Sequence, residues 1–145
     1  MQTIIIHTDG GARGNPGPAG VGVVILNDEG KVIKTASGYI GERTNNYAEY
    51  EAVVTALETL KKTIPKEKRK AVTLSFHLDS ELVVKQLSGV YQIKEETLFP
   101  QFVKIWNFKV SEFPNMSFTH VPREKNKEAD MLVNQAIDGA TKNLL

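Results

Sequence analysis

The sequence contains no cysteine, a single tryptophan and no long apolar run. Without cysteine, neither a disulfide framework nor a thiolate metal site can form. No apolar stretch approaches the roughly 20 residues that a membrane-spanning helix needs, and the N-terminus lacks the pattern of a signal peptide. We therefore expect a cytoplasmic protein that does not depend on an oxidising compartment and has no membrane partner.

The sequence also lacks an excess of charge of either sign. Its 18 basic and 17 acidic residues give a net charge of +1, so binding to a polyanion has to come from local patches. The hydrophobic fraction of 41% is ordinary for a globular protein. A length of 145 residues suits one domain with a real core, and we expect residues 1–145 to form a single domain.

The hydrophobic pattern predicts an α/β fold. Five strands are predicted, at residues 3–8, 21–26, 31–39, 72–78 and 117–121. Helices are predicted at residues 44–62, 81–87 and 94–113, and a last helix is expected to be capped by Asn126. Short links between the first three strands favour an antiparallel meander, with a turn-rich loop of glycine and proline after the first strand. The fourth strand follows a helix, and such a crossover favours a parallel pairing with the first strand.

Four acids stand out because of their predicted positions. Asp9 and Asp79 end two strands that should be parallel neighbours, where ligand sites of open α/β sheets lie. Glu49 falls within the apolar stripe of its helix, where a carboxylate is costly unless it is paired or bound to metal. Asp130 lies in the first turn of the last helix. Alternatives remain for three of them: an Asx turn for Asp9, a plain turn for Asp79, and the helix dipole for Asp130.

Converging carboxylates repel one another unless cations hold them together. A site made only of oxygen ligands favours a hard ion, Mg²⁺ or Mn²⁺. A pair of such ions suits the in-line displacement of a phosphoryl group.

Four sequence motifs resemble the type 1 ribonuclease H family. They are TDGGARGNPGPAG at 8–20, RTNNYAEYEA at 43–52, LDSELVV at 78–84 and HVPREKNKEAD at 120–130. They occur in the order of the family and span nearly the whole chain, and together they are highly specific. The resemblance implies a ribonuclease H catalytic domain with a five-stranded mixed sheet, three antiparallel strands followed by parallel ones, flanked by helices.

The resemblance also implies a function. The protein would be an endonuclease that hydrolyses the RNA strand of RNA–DNA hybrids by a two-metal-ion mechanism and leaves 5′-phosphate and 3′-hydroxyl ends. Two Mg²⁺ or Mn²⁺ ions would be bound by the family's four catalytic carboxylates, which correspond to Asp9, Glu49, Asp79 and Asp130. We expect a monomer without an obligate protein partner. Two alternatives are a module that binds hybrids without cutting them and a nuclease of the same fold that acts on another substrate.

The hybrid has to be recognised through the RNA 2′-hydroxyl groups in the wide minor groove. Short polar side chains and bare backbone amides suit this task, and the candidates in the first loop are Gly10, Gly11 and Asn15. Asn45 and Asn46, next to Glu49, match the minor-groove contacts of the family. Thr44 matches a family position that contacts a phosphate of the DNA strand. Helix capping is the alternative role for the asparagines beside Glu49.

The chain departs from many bacterial family members in two places. The segment 89–115 contains one tryptophan and few basic residues, where those members carry a basic, tryptophan-rich protrusion, and this indicates the protrusion-less subgroup. Lys31, Lys34, Lys94 and the basic segment 61–70 are then candidates for hybrid affinity. In the loop before Asp130 we expect Arg123 to take the role of the family's mobile histidine.

Histidines are expected to be structural. His120 belongs to the last predicted strand rather than to the loop that follows it. His7 and His77 each precede a strand-end acid by two residues, so each shares the strand face of that acid. We expect both to be partly buried, hydrogen-bonded side chains rather than metal ligands.

Overall fold

Five strands form one mixed sheet in the computed structural model, which describes residues 2–142. The strands are β1 (Thr3–Ala12), β2 (Gly17–Leu26), β3 (Val32–Arg43), β4 (Thr73–Leu78) and β5 (Met116–His120). Their order across the sheet is β3-β2-β1-β4-β5. β2 is antiparallel to both β1 and β3, while β4 is parallel to β1 and to β5. The predicted fold class and the predicted crossover are therefore confirmed.

Helices cover both faces of this sheet. They are α1 (Asn45–Thr63), α2 (Glu81–Leu87), α3 (Phe99–Ser111) and α4 (Lys127–Thr141). Short 3₁₀ turns lie at residues 66–68, 96–98 and 123–125. Among the described residues, no helix is both long and apolar enough to span a membrane.

The main core lies between α1 and the face of the sheet that it covers. Alternate residues of each strand point into this core, because successive side chains of a strand face opposite sides. In β4 the alternation is complete, and Leu74, Phe76 and Leu78 are fully buried. They pack with Ile6 of β1 and with the apolar stripe of α1, which consists of Val53, Ala56, Leu57 and Leu60. The predicted faces of β4 and α1 are confirmed.

The glycine-rich stretch forms less of a loop than predicted. β1 continues to Ala12 and β2 already begins at Gly17, so only residues 13–16 turn. Gly10 pairs with Val21, and Gly11 pairs with Gly20. Glycine lowers strand propensity, but here the ladder persists because helices pack closely on both sides of these residues. The prediction that the strand ends at residue 8 was therefore wrong.

The third helix was also predicted incorrectly. α3 begins at Phe99 instead of residue 94, because proline fits the first turn of a helix and not its interior. Its apolar residues were expected to lie mostly in the core, but Ile105 is the only buried apolar residue of the helix. Val103, Trp106 and Val110 are exposed, Trp106 by 54%. α3 packs on α1 along one side, so periodicity alone could not separate its inner face from its outer face.

Candidate active site

The parallel pairing of β1 and β4 brings two acids together. His7 is the register partner of His77, and Asp9 and Asp79 each lie two residues further along the chain. Past this point β1 continues beside β2, whereas β4 ends at Leu78. Asp9 is therefore held inside the sheet, with 6% of its surface exposed, and Asp79 follows the strand end next to it.

Glu49 reaches these acids because α1 packs directly on the backbone of β1. A Cβ atom at Gly10 would overlap the backbone carbonyl of Ala48 and would lie 2.5 Å from the backbone nitrogen of Glu49. Only glycine permits this approach. As a result, three carboxylates come close together. One oxygen of each lies within 4.8 Å of one oxygen of each of the other two, and the residues are Asp9, Glu49 and Asp79.

Asp130 approaches from the opposite face of the sheet. Gly22, the cross-strand partner of Asp9, lies against α4, and a Cβ atom there would overlap the carbonyl oxygen of Ala129. Asp130 lines the same cavity of about 470 Å³ as the other three acids. It is not a member of the close group of three. All four predicted acids therefore meet at one cavity, with three of them in a tighter cluster.

The beginning of α4 is anchored to β1 by Asn126. The side-chain amide of Asn126 donates to the carbonyl of Thr8 over 2.9 Å, and its Oδ1 lies 3.2 Å from Nδ1 of His7. Asn126 occupies the N-cap position, but its side chain makes no capping hydrogen bond. The predicted capping function of this side chain was wrong, because the buried amide is used to join the helix to the sheet.

Mutual repulsion and burial act strongly on the clustered acids. Burial raises the pKa of Asp9 to about 8, with further contributions from Asp79 and from Asp130. Burial also raises the pKa of Glu49 well above its ordinary value, and the negative charges of Asp9 and Asp79 add to this effect. Without a bound cation, the cluster therefore holds protons at neutral pH.

The donor set fits a hard divalent cation. Oε2 of Glu49 is buried and has no hydrogen-bond partner among the residues described. Within residues 2–142, no ion pair involves any of the four acids. An orphaned buried carboxylate oxygen beside two further carboxylates is poorly compensated by the protein itself. Oxygen ligands of this kind suit Mg²⁺ or Mn²⁺.

Arg123 and His120 differ clearly in position. Arg123 begins the 3₁₀ turn before α4 and lines the cavity, and its positive charge lowers the pKa of Glu49 against the larger effects of burial and nearby acids. His120 is exposed at the end of β5 and does not line the cavity. The geometry therefore favours Arg123 over His120 as the residue beside the acids.

Asn15 and Asn45, two of the predicted substrate-binding residues, each accept a hydrogen bond from the backbone near the other. Oδ1 of Asn15 accepts from the backbone N–H of Asn45 over 3.0 Å, and Oδ1 of Asn45 accepts from the backbone N–H of Ala12 over 2.8 Å. This exchange joins the turn after β1 to the start of α1. Because both carbonyl oxygens are used, the two side-chain NH₂ groups are the parts that remain to meet a ligand.

The other predicted substrate contacts do not all lie at the acidic cavity. Thr44 is the N-cap of α1, since its hydroxyl accepts from the backbone N–H of Tyr47 over 3.2 Å, so capping by the asparagines is not observed. Gly10 and Gly11 line the acidic cavity. Asn46 instead lines a second cavity of about 500 Å³, together with Tyr91 and Lys94.

The two inner histidines lie edge to face behind the acids. The ring centroids of His7 and His77 are 4.9 Å apart. Nε2 of His77 lies 3.3 Å from the hydroxyl of Ser75, and His7 contacts Asn126 as described above. Burial lowers the pKa of His77, and His7 adds to the effect. Both are partly buried and hydrogen-bonded, as the sequence predicts.

Among the further residues that line the cavity, two carry polar side chains on α4 or in the turn after β1, and sequence reasoning missed both. They are Arg13, in the turn after β1, and Asn134, one helical turn after Asp130. Asp130, Asn134 and Asp138 are spaced by four residues along α4 and therefore share one face. That polar row was a usable signal, but the apolar stripe next to it dominated the pattern.

Known proteins resemble this chain over most of its length. The sequence matches the protein family described as Reverse transcriptase-like over residues 7–136. The solved structure of LC11-RNase H1, isolated from compost by a metagenomic approach, is 54% identical in sequence, with a TM-score of 0.90 over 97% of this chain and 99% of that chain. The same LC11 protein has been solved in complex with RNA/DNA hybrid, at 53% identity and a TM-score of 0.90 over 94% of this chain and 98% of that chain.

Two curated relatives are longer than this chain. Ribonuclease HI of Halobacterium salinarum is 38% identical over 92% of this chain, which spans 64% of that protein. The bifunctional protein Rv2228c of Mycobacterium tuberculosis is 37% identical over 94% of this chain, which spans 36% of that protein. The similarity in these two cases therefore extends over only part of the relative.

Proposed function

Because the chain belongs to the ribonuclease H family, we propose that it is an endonuclease that hydrolyses the RNA strand of RNA–DNA hybrids. Its products would carry 5′-phosphate and 3′-hydroxyl ends. The observation that carries this proposal is the convergence of three carboxylates within 4.8 Å, with a buried and unpartnered oxygen on Glu49. The related LC11 protein, solved with a bound hybrid, supports the same substrate class.

The four acids are proposed as the ligands of two divalent ions, Mg²⁺ or Mn²⁺. Bound there, such ions would supply Lewis-acid activation of a water molecule at neutral pH and would neutralise charge on a phosphate. Asp9 is proposed to contribute to both ion sites, because its carboxyl group interacts with both Asp79 and Asp130. Ion binding would also release the protons that the metal-free cluster holds.

Arg123 is proposed to act on the phosphate rather than on a proton. A guanidinium group stays protonated, so it cannot serve as a general base at neutral pH. It carries donors in a fork that matches phosphate oxygens. Its place on the cavity wall near Glu49 suits a role in positioning the scissile phosphate or in easing departure of the product.

Recognition of the RNA strand is proposed to involve the paired asparagines. The carbonyl oxygens of Asn15 and Asn45 are held by backbone N–H groups, so their NH₂ groups are oriented in advance. Such donors suit the 2′-hydroxyl groups that distinguish RNA from DNA. Backbone amides of Gly10 and Gly11 are proposed as further contacts to the RNA.

The DNA strand is proposed to contact the start of α1. Thr44 is the candidate for a phosphate contact there. Asn46 is the candidate for a contact in the minor groove, beside the cavity that contains Tyr91 and Lys94. Residues 1–145 are proposed to act as one catalytic domain, as a monomer and without an obligate protein partner.

The proposed function is tested by cleavage and binding assays on the same variants. Asp9→Asn and Asp130→Asn should abolish cleavage of a labelled hybrid in Mg²⁺ or Mn²⁺, while the affinity for the hybrid, measured by fluorescence anisotropy, stays largely intact. Asp28→Asn, which changes an exposed acid in the turn after β2, is the matched control and should cleave normally. Full activity in either cluster variant would contradict the mechanism.

The substrate class is tested separately with a panel of duplexes. The panel contains a hybrid, double-stranded RNA, double-stranded DNA and a duplex with a single ribonucleotide. We expect cleavage of the RNA strand of the hybrid and no cleavage of double-stranded DNA. Binding of the hybrid without cleavage would instead indicate a binding module, and preferential cleavage of another duplex would indicate a nuclease with a different substrate.

A further inference from the structure

We propose that Arg13 and Asn134 position the carboxylate of Asp130 through a chain of hydrogen bonds that starts in the turn between β1 and β2. Neither residue belongs to the set of acids and substrate contacts assigned above. This inference rests on the proposed function, because it assigns a positioning role around the same cavity. Binding of Mn²⁺ to the substrate-free protein tests it without depending on cleavage.

The chain of hydrogen bonds begins at the guanidinium group of Arg13, which contacts two side chains of α4. Nη1 of Arg13 donates to Oδ1 of Asp138 over 2.6 Å, and Nη2 donates to Oδ1 of Asn134 over 3.1 Å. Nη2 also lies 3.5 Å from the backbone carbonyl oxygen of Asn134. Arg13 therefore holds the side chain of Asn134 from the outer side of the cavity.

The chemistry of the guanidinium group fixes the orientation of the Asn134 amide. Arginine has donors and no acceptor, so the carbonyl oxygen of Asn134 must face it. The NH₂ group of Asn134 then points the other way, toward the beginning of α4. There it donates to the backbone carbonyl of Asp130 over 3.1 Å and lies 3.5 Å from Oδ2 of the same residue.

The turn that carries Arg13 is tightly built. The backbone N–H of Arg13 donates to the carbonyl of Pro18 over 2.9 Å. A Cβ atom at Gly17 would overlap the carbonyl oxygen of Arg13, and Gly14 has a φ of +94° that other residues rarely adopt. The backbone of Arg13 is thus fixed, and its side chain reaches α4 from a defined point.

Asp130 needs such support more than the other acids do. Asp9 lies within the sheet and Glu49 lies on a helix packed directly against it. Asp130 projects from the first turn of α4 toward Asp9, and once Asp9 loses its proton the like charges of the two carboxylates repel each other. A directed NH₂ donor beside Oδ2 opposes that rotation, as groups behind a metal ligand do in many metal sites.

The ion pair between Arg13 and Asp138 is exposed, which indicates that Arg13 positions Asn134 rather than stabilises the fold. The side chains of Arg13 and Asp138 are 44% and 66% exposed, and exposed ion pairs contribute little to stability. Substitutions of Arg13 and Asn134 should therefore leave the fold intact and act mainly on the cavity.

The test combines metal binding with kinetics. Mn²⁺ binding to the substrate-free protein is measured by calorimetry for Arg13→Ala, Asn134→Ala and the isosteric Asn134→Asp. We expect about tenfold weaker binding for Asn134→Ala, the lower end of effects seen for groups behind metal ligands. Asn134→Asp also loses the NH₂ donor but adds a carboxylate that attracts Mn²⁺, so its affinity should fall less than that of Asn134→Ala. With the hybrid at saturating Mn²⁺, kcat should fall while KM stays within about twofold.

Two comparisons separate positioning from general damage. Arg13→Ala combined with Asn134→Ala should be no worse than Asn134→Ala alone, because the two residues act through one chain. Glu81→Gln removes the exposed ion pair with Lys85 on α2 and should change neither Mn²⁺ affinity nor kcat. Arg13→Lys, which keeps the charge and loses the fork, should retain part of the Mn²⁺ affinity that Arg13→Ala loses.

Distinct outcomes would overturn the inference. Unchanged Mn²⁺ affinity in Asn134→Ala, with Tm also unchanged, would refute the positioning role. A higher KM in Arg13→Ala with no effect of Asn134→Ala would instead make Arg13 a substrate contact. Asp130→Asn gives the reference loss of Mn²⁺ affinity for this ligand position. If the wild-type protein cleaves no hybrid while the Asn134 variants still weaken Mn²⁺ binding, the proposed function fails and the positioning role stands.

Discussion

Replacement of Asp9 by asparagine should stabilise the metal-free protein, although it should destroy its activity. The folded protein raises the pKa of Asp9 from 3.8 to about 8, so Asp9 binds its proton more tightly in the folded state than in the unfolded chain. Above pH 4 the unfolded chain gains from ionisation of this carboxyl group and the folded protein does not. An amide of the same shape removes that difference.

The size of the effect follows from the pKa shift. One pKa unit corresponds to about 1.4 kcal/mol, so a shift of this size acting in full would destabilise the wild-type fold by about 4 kcal/mol at pH 7. Neighbouring acids share the repulsion, and we expect Asp9→Asn to raise the free energy of unfolding by about 2–4 kcal/mol. In a protein of this length that corresponds to roughly 5–15 °C in Tm.

The sign of the pH dependence is specific. Because the folded-state pKa of Asp9 is raised, the wild-type protein loses stability as the pH rises from about 4 to about 8. The advantage of Asp9→Asn should therefore be small near pH 4 and greatest at about pH 8. Divalent ions bind the ionised acids of the folded wild-type protein and stabilise only the folded state. Added Mg²⁺ should therefore reduce the difference in the free energy of unfolding between Asp9→Asn and the wild type.

Urea unfolding in EDTA, followed by circular dichroism at pH 4.5, 6 and 8, measures this effect. Asp28→Asn, at an exposed turn position, is the control and should stay within about 0.5 kcal/mol of the wild type at each pH. Equal stability of Asp9→Asn and wild type at pH 8, or a gap that does not shrink toward pH 4.5, would refute the reasoning.

Three further substitutions test the packing around the site. Gly10→Ala should lower the free energy of unfolding by at least about 3 kcal/mol, because the added methyl group overlaps the backbone of α1. Gly38→Ala, where the added methyl group meets open space, is the control. Equal Tm values for the two variants would contradict the prediction. Thr44→Ala should lower the free energy of unfolding by about 1 kcal/mol, because α1 loses its N-cap, and should be rescued by Thr44→Ser. Tyr50→Phe should cost about 1–3 kcal/mol in urea unfolding, because buried Gln86 loses the 2.7 Å hydrogen bond from the tyrosine hydroxyl; an unchanged midpoint would show that Gln86 finds another partner.

Positions of three of the acids could be predicted from local sequence pattern and from chain connectivity. Glu49 interrupts an apolar helix stripe, Asp9 follows the apolar run at the start of β1, and Asp79 follows a strand whose parallel pairing with β1 is dictated by a crossover. These rules depend on short stretches of sequence and on the handedness of chain connections. Their consequence, a single cavity with all four acids, follows from the topology and required no knowledge of side-chain contacts.

The boundaries around the glycines could not be predicted because their cause is long-range. In isolation, residues 10–20 favour a loop, yet Gly10 and Gly22 sit in the sheet because α1 and α4 press against them from opposite faces. Gly10 was predicted to contact RNA through its backbone amide. The space where its side chain would lie is taken up by α1, so helix packing is sufficient to require glycine there, and contact of its amide with RNA remains a prediction.

The outer face of α3 shows that helical periodicity alone does not always identify the buried side of a helix. Phe99, Val103, Trp106 and Val110 recur at helical spacing, and such a stripe usually marks a buried face. α3 has apolar residues on more than one side, so the pattern does not specify which side meets α1. The structure buries Ile105 and leaves the stripe exposed. Only the packing partner of a helix decides such a case.

The arrangement of the acids suggests that Asp130 is the adjustable member of the cluster. Asp9 and Glu49 are fixed by the close packing of β1 against α1, so changing their positions would disturb the main core. The carboxylate of Asp130 is instead approached by a polar chain from a surface turn. Substitutions along that chain can alter the geometry of the fourth ligand without a large loss of stability. Metal affinity and fold stability should therefore vary independently at Arg13 and Asn134, whereas at Asp9 they are tied together by the raised pKa of the same carboxyl group.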